Sequence, residues 1–457
     1  MRVNPYLLTV VASAALVTCR APILAAPATS AGDPEISAIL ADIHADRIEA
    51  TIRKLVSFGT RNTLSSQDDT RRGIGAARDW IFAEFNQIAA TSAGRLTVAQ
   101  QSFTQPAASR IPQPTRLTNI VATLQGTLPE SDKRVVVVSG HYDSICSNPT
   151  DALNDAPGAN DDGSGAAAVI EMARAMSTHT FRATIVFMCV AGEEQGLYGS
   201  TYFAETAKTA NMPIEAMLDN DIIGSSVGGN GVHDDASVRV FSEGIPSNET
   251  EAQARVRRSV GGENDGPSRQ LARFIKETGE LYVTGMKVTL IYRRDRYLRG
   301  GDHIPFLERG YAAVRFTEPN EDYHHQHQNV RLEGGVQYGD LIQFVDFKYI
   351  SRVASVNAAS LAELALGPAP PTGVLLVTSR LTNDTELRWE PGNDPAVTGY
   401  EVVWRTTTEP DWTNVRSVGK VTAFTVPNLS KDNYLFGVRA VDAKGHKSPV
   451  VYPKPGR

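Results

Sequence analysis

Short apolar runs bounded by turn residues constrain this chain more than any other feature: Asn119 to Leu124, Val135 to Ser139, Thr184 to Val190, Ala216 to Ile223, Val288 to Tyr292 and Ala312 to Phe316. Between several of them lie helical stretches such as Ala166 to Met176 and Ser200 to Ala210. Continuous apolar strands alternating with helices predict an α/β domain whose mostly parallel sheet is covered by helices on both faces. In such folds ligands gather at the carboxyl ends of the strands. Apolar residues at three- and four-residue spacing predict opening helices over Glu35 to Val56 and Thr70 to Ala90, and a closing one over about Tyr338 to Leu366. This domain is expected over residues 33–366.

Gly367-Pro368-Ala369-Pro370-Pro371 reads as a stiff linker. Beyond it the period changes to strand-like runs at Gly373 to Leu376, Thr385 to Trp389, Tyr400 to Arg405, Ala423 to Val426 and Tyr434 to Val441. Turn signals between such runs predict a small all-β sandwich over 370–457. Trp389, Tyr400 and the Tyr434 to Ala440 run resemble a fibronectin type III module. What it binds is not readable, and with a core of its own it is expected to be dispensable for catalysis.

At the other end, Arg2, the apolar run Leu7 to Val17 and the small residues Ala25-Ala26-Pro27-Ala28 read as a signal peptide over residues 1–26. The run is too short to span a bilayer. A secreted or periplasmic protein without stable membrane insertion after cleavage is expected, with lipidation at Cys19 as an alternative. Removal of the leader leaves Cys146 and Cys189, enough for one optional bridge or two buried thiols. With Lys+Arg 45 against Asp+Glu 51, the chain lacks the basic footprint of a nucleic-acid binder.

The polar residues that follow the apolar runs carry the chemistry. They are Gly140-His141-Tyr142-Asp143-Ser144, then Gly158 to Gly165 with Asn160-Asp161-Asp162, then Ala191-Gly192-Glu193-Glu194-Gln195, then Asp219 and Asp221 within a run, and last Tyr323-His324-His325-Gln326-His327. Singly, each has an ordinary structural reading. Together, carboxylates and imidazoles at strand ends converge on one rim, where like charges need a cation. Imidazole and carboxylate without thiolate suits zinc. Asp143, two residues after His141, is placed to hold that ligand's second ring nitrogen.

The motifs GHYDS, GANDDGSG, AGEEQGLYGS, Asp221-Ile222-Ile223-Gly224 and the final Tyr-His segment resemble, in the family's order over residues 117–330, the secreted bacterial dizinc aminopeptidases related to leucyl aminopeptidases and glutamate carboxypeptidases. The resemblance implies two zinc ions, with His141 and Asp221 on one, Glu194 and a late histidine on the other, Asp161 bridging, and Glu193 as general base toward a metal-bridging water. It implies release of N-terminal residues from peptide substrates. Carboxypeptidase and glutaminyl cyclase activities on the same fold are alternatives, as is a catalytically silent binding protein.

The late histidine is ambiguous. A preceding Tyr323 selects His324, whereas a polar residue four positions on, Asn329, selects His325. His325 is the expected ligand and His324 the alternative. Tyr323 then stands beside the site, and His327 is expected to be solvated or to support the ligands from outside. In Gly301-Asp302-His303-Ile304-Pro305-Phe306, which also resembles a family segment, Ser more often stands where this chain has Gly301. One competing signature exists: Gly224-Ser225-Ser226-Val227-Gly228 matches a nucleophile elbow around Ser226, but a loop pattern follows where the elbow needs a helix. Ser225 to Leu271 reads as a long insertion.

Overall fold

The computed structural model describes residues 32–130 and 133–456. The expected leader, with Cys19, lies outside the described residues. Contacts gather everything from Gly32 onward into one compact unit.

The chain enters through α1 (Pro34–Ala41) and α2 (Ala45–Val56), where one helix was expected. The break falls at Asp42 to His44, and the His44 amide there donates to Glu171 Oε1 at 2.9 Å. Next come α3 (Ile74–Thr91), β1 (Leu96–Gln105), β2 (Thr115–Leu124), β3 (Val135–His141), α4 (Gly163–Met176), β4 (Thr184–Val190), α5 (Glu193–Gly196), α6 (Tyr198–Thr209) and β5 (Ile214–Asn220). The stretch expected to be an insertion contains β6 (Ser237–Phe241), α7 (Glu251–Val260) and the start of α8 (Pro267–Tyr282). β7 (Lys287–Ile291), α9 (Ile304–Glu308), β8 (Ala313–Thr317), the hairpin β9 (Arg331–Glu333) and β10 (Val336–Tyr338), and α10 (Phe347–Leu366) complete the domain.

Eight strands form one mixed sheet in the order β1-β2-β4-β3-β5-β8-β6-β7. Its centre, β4-β3-β5-β8, is parallel, and β1, β2 and β6 join antiparallel. The central strands β3 and β4 are buried along their whole length, as their unbroken apolar runs require. Helices α1 to α4, α8 and α10 pack one face through residues such as Ile52, Phe85, Val169, Ile275 and Leu361. Helices α6 and α9 cover the other with Phe203, Ala204 and Phe306.

Past the linker, β11 (Thr372–Val377), β12 (Thr385–Glu390), β13 (Gly399–Thr406), β14 (Asn414–Gly419), β15 (Ala423–Val426), β16 (Tyr434–Val441) and β17 (Lys454–Gly456) form sheets of four and three strands. Trp389, Tyr400, Trp404 and Phe436 fill the space between them.

This module is not a loosely tethered bead. Buried Asp265, just before α8, accepts Arg405 Nη2 from β13 on both oxygens, at 2.9 and 2.8 Å, together with Arg273 Nη1 at 3.0 Å and Gln270 Nε2 at 3.0 Å. Trp412 Nε1 donates to Gln270 Oε1 at 3.0 Å, and Arg439 bridges Glu401 of the module and Glu277 of α8, 2.7 Å from each. Asp394 pairs with Arg182 and receives the Ala369 amide of the linker. His446 Nε2 lies 2.9 Å from Asp33 Oδ2, so the module also grips the start of α1. An interface built of buried charge pairs thus ties the module to the domain before the linker. Elsewhere, Cys146 and Cys189 are buried and unpaired. Among the described residues no helix is long and apolar enough to cross a membrane.

Candidate metal centre

The site forms where β3, β4 and β5 end. The loops behind them come together because small residues let backbones approach: a Cβ on Gly140 would lie 2.4 Å from the carbonyl carbon of Gly165, and one on Gly165 2.2 Å from Asn220 O. Asp162 caps α4 through Gly165 N at 2.9 Å. Its carboxylate also accepts the amides of His141 at 3.0 Å and Ile222 at 3.2 Å, tying two strand ends to one helix start.

Two groups of donors result: His141, Glu193 and Asp221 in one, and Asp161, Glu194 and His327 in the other. Asp161 joins them. Its Oδ1 lies 3.2 Å from His141 Nε2 and its Oδ2 2.9 Å from His327 Nε2. Asp161 is itself held by Asp340, whose carboxylate accepts the Asp161 amide at 2.7 Å and the Asn160 amide at 2.9 Å. Burial pushes the Asp340 carboxyl up to about 7 against those hydrogen bonds. Buried Arg61 braces the same loops, donating to the carbonyls of Tyr142, Pro157 and Gly158. Neither Asp340 nor Arg61 stands in a motif that sequence reading could have flagged.

Asp143 acts differently from the expectation. The partner of His141 Nδ1 is the backbone carbonyl of Asp143 at 3.1 Å, with the carboxylate farther off at 3.6 Å. That carboxylate instead accepts the amides of Glu193 at 3.3 Å and Glu194 at 3.1 Å, fixing the turn that presents both glutamates.

The histidine that the structure brings beside Asp161 and Glu194 is His327, neither His325 nor His324. His325 stacks on Phe344 with 3.7 Å between ring centroids, and burial pushes its imidazole pKa down. His324 is exposed and pairs with Asp322 at 2.9 Å. The physical reason is a turn closed by the amides of His325 and Gln326 on Asp322 O, followed by a left-handed φ of +55° at His327 that reverses the chain. Asn329, the residue that selected His325, instead accepts the Ser147 amide through Oδ1 at 3.2 Å. Tyr323 is 65% exposed, and none of its hydrogen bonds among the described residues reaches the site. Ser226 donates to Asp346 Oδ2 at 2.8 Å, and β6, not a helix, follows its loop, so the elbow is absent.

The donor set fits zinc. Glu194 Oε1 is buried and accepts no hydrogen bond, although His327 Nε2 is 3.0 Å away. A carboxylate oxygen left so is costly without a cation. Burial alone would push both histidines toward neutrality. Asp143 and Asp161 outweigh it at His141, and Glu194 and Asp161 outweigh it at His327, so both imidazole pKa values rise well above the usual value. The site therefore draws positive charge to itself, as a chelate does.

Residues 119–334 match the model of Peptidase family M28, and residues 369–454 that of the Fibronectin type III domain. A probable zinc metalloprotease of Leptosphaeria maculans is 53% identical over 426 residues, spanning 93% of this chain and 98% of its own. Another, from Pyricularia oryzae, is 52% identical over 433 residues, 93% and 85% of the two chains. In fold, the chain is similar to an aminopeptidase from Aneurinibacillus sp. strain AM-1, with TM-score 0.52 at 12% identity over 72% of this chain and 96% of that one. It is likewise similar to LapB of Legionella pneumophila, with TM-score 0.52 at 17% identity over 73% and 75%. The chain belongs to peptidase family M28. The bacterial affiliation implied by the resemblance is corrected by these relatives, which are fungal.

Proposed function

We propose that the protein is a secreted zinc-dependent exopeptidase that binds two ions and releases N-terminal residues from peptides. The observation that carries this reading is Asp161, whose two oxygens face His141 on one side and His327 on the other. His141 and Asp221 would hold one ion, Glu194 and His327 the other, with Asp161 shared. Bound zinc supplies Lewis-acid polarisation of the scissile carbonyl and lowers the pKa of water at the site.

Glu193 is the group left for proton transfer. Asp143 fixes its backbone, and it lies beside His141 and Asp221 while remaining half-buried. Burial pushes its carboxyl well up, opposed by His141 and reinforced by Asp221, Glu194 and Asp302. A carboxylate so placed accepts a proton from water and returns it to the leaving nitrogen. Neighbouring Glu194 faces His327 and serves as ligand instead. The carboxylates of the rim give the site a negative potential that favours a substrate ammonium.

Metal analysis together with a mass-spectrometric time course on a free peptide and its N-acetylated twin tests the proposal. About two zinc ions per chain and stepwise shortening of the free peptide alone are expected. Equal cleavage of both peptides, or early internal fragments, would exclude the aminopeptidase reading. Amino-terminal sequencing of protein recovered from the medium checks export, with a mature start near residue 27 expected from the leader pattern.

A further inference from the structure

Arg315 on β8 is fully buried, yet none of the motifs points to it. Its Nη1 donates to Gly300 O at 2.7 Å and lies 3.5 Å from Asp295 Oδ2, partners enough for a structural arginine. Its Nη2 does something more, lying 2.8 Å from Asp221 Oδ1. That same oxygen is the one 3.9 Å from His141 Nε2. A cation held by His141 and Asp221 would thus have a carboxylate ligand that already pairs with a guanidinium.

Gly301 lies against the other nitrogen of the same guanidinium. A Cβ there would lie 2.9 Å from Arg315 Nη1, 3.0 Å from Asp219 Oδ2 and 3.2 Å from His303 Nδ1. On the other side of Asp161, no lysine or arginine among the described residues pairs with the carboxylates of Asp161 or Glu194, and Glu194 Oε1 is free of hydrogen bonds.

We propose that Arg315 is a positioning residue that makes the two metal positions unequal. By sharing Asp221 Oδ1 and adding a buried positive charge, it weakens the His141–Asp221 position relative to the Asp161–Glu194–His327 position. This inference rests on the two-ion reading above. Partners that hold a ligand from outside shift metal affinity by about 10–100-fold. Most such partners are acceptors that strengthen a ligand, whereas a guanidinium on a carboxylate competes with the ion.

The test is zinc titration of the full chain against a competing chelator dye, with cobalt(II) absorption as the spectroscopic readout. Wild-type protein should take up zinc in two steps separated by about tenfold or more. His327→Ala, a change on a half-exposed loop residue, should abolish the tighter step and keep the weaker one. Arg315→Met should tighten the weaker step by about tenfold and alter the cobalt spectrum, while Arg315→Lys, which keeps the charge, should preserve the inequality. Gly301→Ser, which crowds the guanidinium, should act in the direction of Arg315→Met and serves if that variant fails to fold. No stoichiometric zinc in the wild type would remove the two-ion reading itself. Two equal steps, loss of the weaker step in His327→Ala, or a weaker or unchanged step in folded Arg315→Met would overturn the role of Arg315 alone.

Discussion

The metal centre and the interface with the β-sandwich are both built from buried charge, and they differ in arithmetic. At the interface, carboxylate and guanidinium groups match: Asp265 faces Arg405 and Arg273, and Arg439 faces Glu277 and Glu401. At the centre, Asp161, Glu193, Glu194 and Asp221 converge on two histidines and a single arginine. Closed pairs hold a fold together without further help. A carboxylate excess is an opening for a ligand. Residue type alone does not separate structure from function here, whereas the local balance of charge does.

Chelation should break this comparison most sharply. Removing metal should abolish hydrolysis while the interface, which needs no ion, keeps the protein folded, as a thermal scan beside an activity assay will show. Loss of both together would mean that the centre is also structural. Next in size is Glu193→Gln, which should cost about 10²–10⁴-fold in kcat with zinc content unchanged. Metal loss in that variant would make Glu193 a ligand.

On the other side of the comparison, Asp265→Ala leaves Arg405 and Arg273 buried and unpaired. It should cost about 3–5 kcal/mol in a denaturant titration. Deletion of 370–457 should for the same reason give an unstable product, contrary to the separability that the linker suggested.

A smaller effect is expected at Asp394. Burial would raise its carboxyl pKa, but Arg182 and the amides of Ala369 and Ala396 outweigh it, so the folded-state pKa lies below that of the unfolded chain. Its contribution to stability is present above about pH 4 and is lost as pH falls through the lowered pKa. Stability curves of wild type and Asp394→Asn should therefore differ at pH 7 and converge in acid. Smallest of all is His325→Ala, which should leave zinc uptake at the wild-type level because His325 packs on Phe344 rather than facing the ions.

Most of the fold could be read from periodicity because the central strands are buried on both faces, and continuous apolar runs mark them. β1 escaped because it is a half-exposed edge strand rich in Gln and Thr, and β6 because a short strand was hidden in a stretch rich in Gly and Asp. Of the residues brought together at the centre, His141 ends β3, Asp221 directly follows β5, Glu193 and Glu194 lie just past β4, and Asp161 stands just before α4, positions that motif and spacing could pick out. His327 was not legible, because a left-handed residue in a turn overrides any spacing rule. Arg315 was hidden for the opposite reason. It sits inside a strand, where an arginine carries no motif, and its contact with Asp221 is made only by the fold.

The docking of the β-sandwich has a consequence for how such a chain can be inherited. Asp265, Gln270 and Arg273 lie on one side of the seam, and Arg405 and Trp412 on the other, more than a hundred residues later. A recombination event at the Pro-rich linker that exchanged one half for a foreign counterpart would strand Asp265 or Arg405 without its mate. The two halves can diverge only in step, so the linker that marks a domain border in the sequence is a poor place to cut the gene.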